Sequence, residues 1–186
     1  MASEMQYDVR FLGMRPAIER AGEFAQYHLS KVALSGILAN WPLSSQWIAK
    51  SPGRKASGQY HPTAISRTRV SAPLREYLAR VGSANGMVVL YHGVGRDEIG
   101  AQALQMRGLV VRFDPHHPDE EVRRDPAGPF DEVHSHYTLN VVDAAIGHAI
   151  LAQIHAVLSD DGVAIITVRR DLDRRQIQGM EGAKKP

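Results

Sequence analysis

The chain has 186 residues, 44% of them hydrophobic, and no cysteine. One ordinary domain of this length buries a core without staples, and thiolate nucleophiles, iron–sulfur clusters and Cys-ligated zinc are excluded. Net charge is only +2, yet residues 24–75 hold seven Lys and Arg and no Asp or Glu, which leaves 15 basic and 20 acidic residues elsewhere. A split of +7 against −5 suits an anionic partner for the N-terminal third. No apolar run reads as a signal peptide or a membrane span, so the expectation is a soluble, cytoplasmic protein without membrane attachment.

Residues 1–13 lack periodicity. Pro16 suits a first helical turn, and Ile18, Ala21, Ala25, His28, Leu29 and Val32 follow at helical spacing, which predicts a helix weakened at Gly36. From 40 to 62, Trp41-Pro42, Ser51-Pro52-Gly53, Ser57-Gly58 and His61-Pro62 are loop and turn chemistry. This region also carries Lys50, Arg54 and Lys55, with Arg67 and Arg69 just beyond. Together with Trp41 and Trp47 they suit single-stranded or flipped-out nucleic acid, with phosphates neutralised and bases stacked. Equally, both Trp residues can pack a helix onto the sheet while the charges stay solvated. A short helix is expected over 73–81, with Ser71 or Ala72 near its cap.

The pattern turns regular at Met87. Residues 87–90 read as a buried parallel strand, 97–107 as a helix burying Ile99, Ala103, Leu104 and Met106, and 109–113 as a second strand. The Pro- and Gly-rich stretch 116–130 reads as loop and 132–136 as a strand. Asp143 caps a helix with Ala145, Ile146, Ala149, Ile150, Ile154, Val157 and Leu158 inward, and Asp161-Gly162 turns into a last strand at 163–168. The tail from Arg169 is polar and basic. Strand–helix alternation predicts a doubly wound α/β domain with a mostly parallel sheet at 63–170. A helical, loop-rich basic extension at 1–62 precedes it, and a polar tail at 171–186 follows.

Gly93-x-Gly95 stands after a strand and before a helix, where a ligand can approach backbone amides closely. Asp114, about twenty residues on at the next strand end, is placed to accept both ribose hydroxyls of a nucleoside cofactor. A plain tight turn and a solvated Asp before Pro115 explain the same residues without a ligand. His116, His117, His134, His136, His148 and His155 cluster in sequence, but no metal-ligand spacing accompanies them, so no metal is expected.

The stretches "LYHGVGRD", "VVRFDPHHP" and "FDEVHSHYTLNVVD" resemble class I S-adenosylmethionine-dependent methyltransferases. More narrowly, they are similar to the methyltransferases associated with bacterial DNA phosphorothioation, whose pattern is approximately "DYGCGRG–D", "GWDP" and "GYVLNVI". Thr63-Ala64-Ile65-Ser66-Arg67 and Ser71-Ala72-Pro73 match that family's upstream stretches, so the resemblance spans roughly residues 61–170. It implies S-adenosylmethionine as cofactor and a nucleic acid or modified nucleotide as methyl acceptor. By the same resemblance Gly93, Gly95 and Arg96 form the cofactor loop, Asp114 and Pro115 the ribose end, and Tyr137, Leu139, Asn140 and Val141 the border between donor and acceptor. His136 and Tyr137 are the nearest bases, with Asn140 completing the catalytic set.

Two departures stand out. Tyr91 occupies the place of the family's Asp, which orients the methionine end of the cofactor; Tyr91 itself or Asp97 is the nearest substitute. The chain also ends soon after Val168, without the two closing strands typical of these enzymes. An open sheet edge should then be covered by the N-terminal extension, a second copy or a protein partner. A non-catalytic binding protein on the same fold is the main rival reading. An NAD-dependent enzyme fits less well, since Gly100 falls too late to be the third glycine.

Overall fold

A computed structural model describes residues 18–19, 24–40, 64, 66–84, 86–142 and 144–169. In chain order these form β1 (Ile18–Glu19), β2 (Phe24–Ser30), α1 (Lys31–Asn40), α2 (Ala72–Val81), β3 (Met87–His92), α3 (Glu98–Leu104) and β4 (Gly108–Phe113). Then come α4 (Glu120–Arg123), β5 (Phe130–His136), a 3-10 turn (Thr138–Val141), α5 (Ala144–Val157) and β6 (Leu158–Arg169). The protein is α/β. All six strands join one sheet in the order β1-β2-β6-β5-β3-β4.

Three pairs, β3–β4, β3–β5 and β5–β6, are parallel, as the strand–helix alternation predicts. The expected mostly parallel sheet is nevertheless corrected to a mixed one. β2 runs antiparallel to β6 along its whole length, from Phe24 opposite Arg169 to Ser30 opposite Val163, and β1 is antiparallel to β2. The open edge beyond β6 is therefore covered by the N-terminal part of the chain itself.

This pairing overturns the helix expected around 18–32. Residues 24–30 alternate: Tyr27 and Leu29 pack in the core beneath α5, while Gln26 is buried on the opposite face. A strand buried on both faces hides its period of two, so apolar residues fall at helical spacing by coincidence. The helix begins only at Lys31, where the Ser30 hydroxyl accepts the Ala33 amide at 3.2 Å. It runs through Gly36 and buries Leu34 and Ile37.

Helices cover both faces. α1 and α5 pack through Leu34, Ile37, Ile150, Leu151 and Ile154 against Leu90, Val133, Ala164 and Ile166. On the other face, α2 and α3 bring Leu74, Tyr77, Ala101 and Leu104 onto Val89, Tyr91 and Ile165. Helix α3 ends at Leu104, earlier than expected, so Met106 falls in the turn beyond it and is exposed; Ala101 and Leu104 make the core contact, with Ile99 and Ala103 half-buried. In α5, Leu151 rather than Ala149 faces the core. A four-residue helix, α4, interrupts the expected loop and anchors it with Val122. The Asp161-Gly162 turn is absorbed into β6 as an irregularity, where the register jumps from Phe130–Leu158 to Glu132–Val163. The capping role of Asp143 and the polar tail lie outside the described residues.

Candidate functional site

Strands β3, β4 and β5 deliver their carboxyl ends to one rim of the sheet. After β3 the chain steps outward to β4 and then returns to the far side of β3 with β5. The segments leaving β3 and β5 lead to helices on opposite faces, α3 on one and α5 on the other. The crevice between such diverging loops is where open α/β sheets take their ligands.

Gly93 and Gly95 have φ of +70° and +52°, a region that side chains other than glycine enter at a cost. The end of β4 clamps this loop. Gly93 and Val94 donate their amides to the Phe113 carbonyl at 2.7 and 3.2 Å, and Gly95 donates to Asp114 Oδ2 at 2.9 Å. Asp114 Oδ1 accepts the His116 amide at 2.8 Å. A carboxylate offers about four acceptor positions, so these two bonds leave capacity for a pair of hydroxyls. Ala64 packs over Gly95, where an added β-carbon would lie 3.3 Å from its own, and a β-carbon on Gly93 would collide with the Thr138 side chain.

Tyr91 is buried, and its hydroxyl donates to Asp97 Oδ2 at 2.7 Å. Burial, together with Asp97, pushes the Tyr91 phenol well above its usual range, so it stays a neutral donor. Asp97 Oδ1 accepts the Gly100 amide at 3.0 Å as the N-cap of α3. Arg67 Nε lies 3.4 Å from Asp97 Oδ2, and the same guanidinium sits over the Tyr137 ring at 5.5 Å. A carboxylate is thus present at the tip of Tyr91, carried by α3 rather than by the strand.

On β5, Glu132, His134 and His136 alternate onto the face covered by α2, and all three are buried. Arg107 donates to both Glu132 oxygens, including Nη2 to Oε1 at 2.5 Å, and His134 Nε2 lies 3.1 Å from Oε2. Burial alone would raise the Glu132 carboxyl, but hydrogen bonds from His134, Arg107 and Tyr77 hold it down at about 2. His134 is lowered by burial, against the pull of Glu132. His136, nearest the rim, is lowered well below the usual range by burial, then by His134 and Arg67, and stays neutral.

Its Nδ1 lies 2.8 Å from Thr167 Oγ1, and its ring meets Tyr91 edge to face at 5.9 Å. Among the described residues, His136 Nε2 and Thr138 Oγ1 are buried without a hydrogen-bond partner. Between them Tyr137 has φ of +63°, the one positive value among the described non-glycine residues. Orphaned polar atoms and strain of this kind cluster at functional sites.

The structure thus brings together Tyr91, Gly93, Gly95, Asp114, His136 and Tyr137 from the expected set. Arg96 is exposed beside the loop, Pro115 is half-buried, and Asn140 lies exposed on the 3-10 turn with its amide donating to the Tyr137 carbonyl. Of the basic residues expected to meet nucleic acid, Arg69 is exposed while Arg67 turns inward to Asp97. Lys50, Arg54 and Lys55 lie outside the described residues, as do Trp41 and Trp47. Sequence reading missed Thr138, Gln26 and Thr167, since none of them belongs to a motif. Among the described residues no group of three or more His, Cys, Asp or Glu is placed to hold a metal ion. No described helix is long and apolar enough to cross a membrane. Compared with known protein families, curated proteins and solved structures, the chain matches none.

Proposed function

We propose that the crevice binds S-adenosylmethionine and that the protein is a methyltransferase acting on nucleic acid or a modified nucleotide. The observation that carries this reading is the convergence of the Gly93–Gly95 loop, the Asp114 carboxylate and the orphaned His136 Nε2 at one topological switch point. Strand order supports it as well. The resembled methyltransferases close their sheet with two further strands, and here β1 and β2 take that edge from the N-terminal side.

In this reading Asp114 holds the ribose beside the Gly93–Gly95 loop, whose amides fasten it to Phe113 and Asp114. The bound cofactor supplies a methyl already activated by its sulfonium, so the protein's task is positioning. Tyr137 and His136 stand at the border between cofactor and acceptor. Arg67, held by Asp97 and stacked on Tyr137, fixes the ring from above. An anionic acceptor would be met by the exposed Arg69 and by the other basic residues of the acid-free stretch 24–75.

A second reading, a binding protein without catalysis, is favoured by one observation. The carboxylate at position 91 is replaced by Tyr91, and Asp97 is already engaged by Tyr91, Arg67 and the Gly100 amide. Calorimetry with S-adenosylmethionine and S-adenosylhomocysteine tests the shared part. Both should bind, and Asp114→Ala should weaken binding by about 1.5–3 kcal/mol, or roughly ten- to a hundredfold. Unaltered affinity in Asp114→Ala would place the ligand elsewhere. Transfer of labelled methyl to nucleic acid separates the enzyme from the silent binder.

A further inference from the structure

Hydrogen-bond donors and acceptors around His136 can be counted, and the count assigns its proton. Gln26 lies on β2, 141 residues before Thr167. Its side-chain amide nitrogen is 3.2 Å from the Pro73 carbonyl oxygen, which can only accept, so the NH2 group must face that way. The same nitrogen is 3.4 Å from Thr167 Oγ1 and donates there too. The amide oxygen faces His28 Nε2 at 3.5 Å. Thr167 is fully buried. With its oxygen accepting from Gln26, its single proton has one partner left among the described residues, His136 Nδ1 at 2.8 Å.

If Nδ1 accepts, the proton of the neutral ring resides on Nε2. The opposite tautomer would leave two groups unsatisfied, the Thr167 proton and the Nε2 lone pair. The assigned tautomer leaves one, the Nε2–H itself. Buried donors are rarely left unmade without a reason.

We propose that His136 serves the crevice as a fixed, neutral hydrogen-bond donor, presenting Nε2–H to an acceptor oxygen of the bound ligand, with Gln26 and Thr167 as its positioning residues. This role rests on the reading of the crevice as a ligand site, and it gives His136 the opposite polarity to a general base. Burial supports it, because an imidazole that resists protonation keeps one donor and one acceptor at neutral pH. The strand that closes the sheet edge thereby also sets the chemistry of the rim: β2 supplies Gln26, β6 supplies Thr167, and β5 carries the ring.

The test uses the full chain labelled with 15N-histidine, with His136 assigned through His136→Asn. Long-range 1H–15N spectra between pH 6 and 8 report which ring nitrogen carries the proton. Nε2–H is expected throughout in the free protein. Thr167→Val should bring the Nδ1–H form into the spectrum, while Thr167→Ser, which keeps the hydroxyl, should restore Nε2–H. A wild-type protein with Nδ1–H, or with a doubly protonated ring, overturns the proposal. S-Adenosylhomocysteine is then added. A shift of the Nε2–H resonance on binding supports the donor role, and binding by calorimetry with no such shift overturns it. Absence of any binding instead defeats the nucleoside reading of the crevice, and the donor role with it, whatever the tautomer.

Discussion

At the residue scale the decisive exchange is at position 91. The resemblance expects a short acid at the strand end, and the structure has a phenol whose hydroxyl reaches an acid on the next helix, Asp97, at 2.7 Å. Tyr91→Phe removes that donor and leaves Asp97 Oδ2 to Arg67, at an expected cost of roughly 1–3 kcal/mol. Tyr91→Asp would restore the family's carboxylate, but it empties a buried ring position packed on His136 and sets a second acid near Asp97. Its expected cost is about 3–5 kcal/mol from aromatic truncation alone, with the new carboxyl pushed upward by burial. Urea unfolding measures both variants, and equal losses would mean that the ring itself contributes nothing. The helix beginning at Asp97 was legible, because an acid at the head of an amphipathic run is a local signal, and the structure makes Asp97 its N-cap. The partnership of Asp97 with Tyr91 was not legible, since nothing in the spacing of 91 and 97 says that one side chain leaves a strand toward the other.

At the element scale, β2 is the piece that changes the molecule. Residues 24–30 were open to a helical reading because buried alternation is not visible when both faces are covered. Seven residue pairs with β6 settle the matter, since they satisfy a row of backbone groups that would otherwise form an open edge. Leu29→Ala should behave as a core substitution and cost about 2–5 kcal/mol. Amide exchange should then accelerate along Leu158–Arg169 as much as along Phe24–Ser30, because the two strands share one ladder. Acceleration confined to β2 would instead make it a detachable flap. The parallel strands β3 and β4 were legible from their apolar runs, and α2 from its proline near a serine cap.

For the whole molecule, a buried polar spine runs down β5, and it makes stability depend on pH in two steps. His134 and His136 are held below their ordinary 6.5. As pH falls through 6.5 the unfolded chain binds protons that the native state refuses, so stability declines by up to about 1.4 kcal/mol per pH unit for His136 and by less for His134, which Glu132 pulls back. His28, half-buried and also lowered, acts in the same direction. Glu132 is held at about 2 against an ordinary 4.5. The unfolded chain protonates it first, so a second loss runs from pH 4.5 down to about 2. Urea unfolding at pH 7.5, 6 and 5 should show stability greatest at the top of that range. His136→Asn should reduce the slope below pH 6.5 by about 1.4 kcal/mol per unit; an unchanged slope would mean that the ring titrates normally in the folded protein.

What the sequence determined by itself is what local chemistry can encode. Gly93-x-Gly95 dictates a loop with positive φ, Asp114 falls next to it because β4 lies beside β3, and apolar runs of strand length with helical stretches between them dictate α/β alternation. Such signals operate over a few residues to one strand–helix–strand unit. Only the tertiary structure decided the rest: that an N-terminal strand closes the far edge, that Arg67 leaves the basic surface for Asp97, and that Gln26 reaches Thr167 across 141 residues to set the proton on His136. The reason is physical. A buried polar side chain must find a partner, but its type says only what it can donate or accept. Which partner it meets is fixed by strand order and register, and those follow from how the whole chain shares out its apolar faces and its unpaired edges.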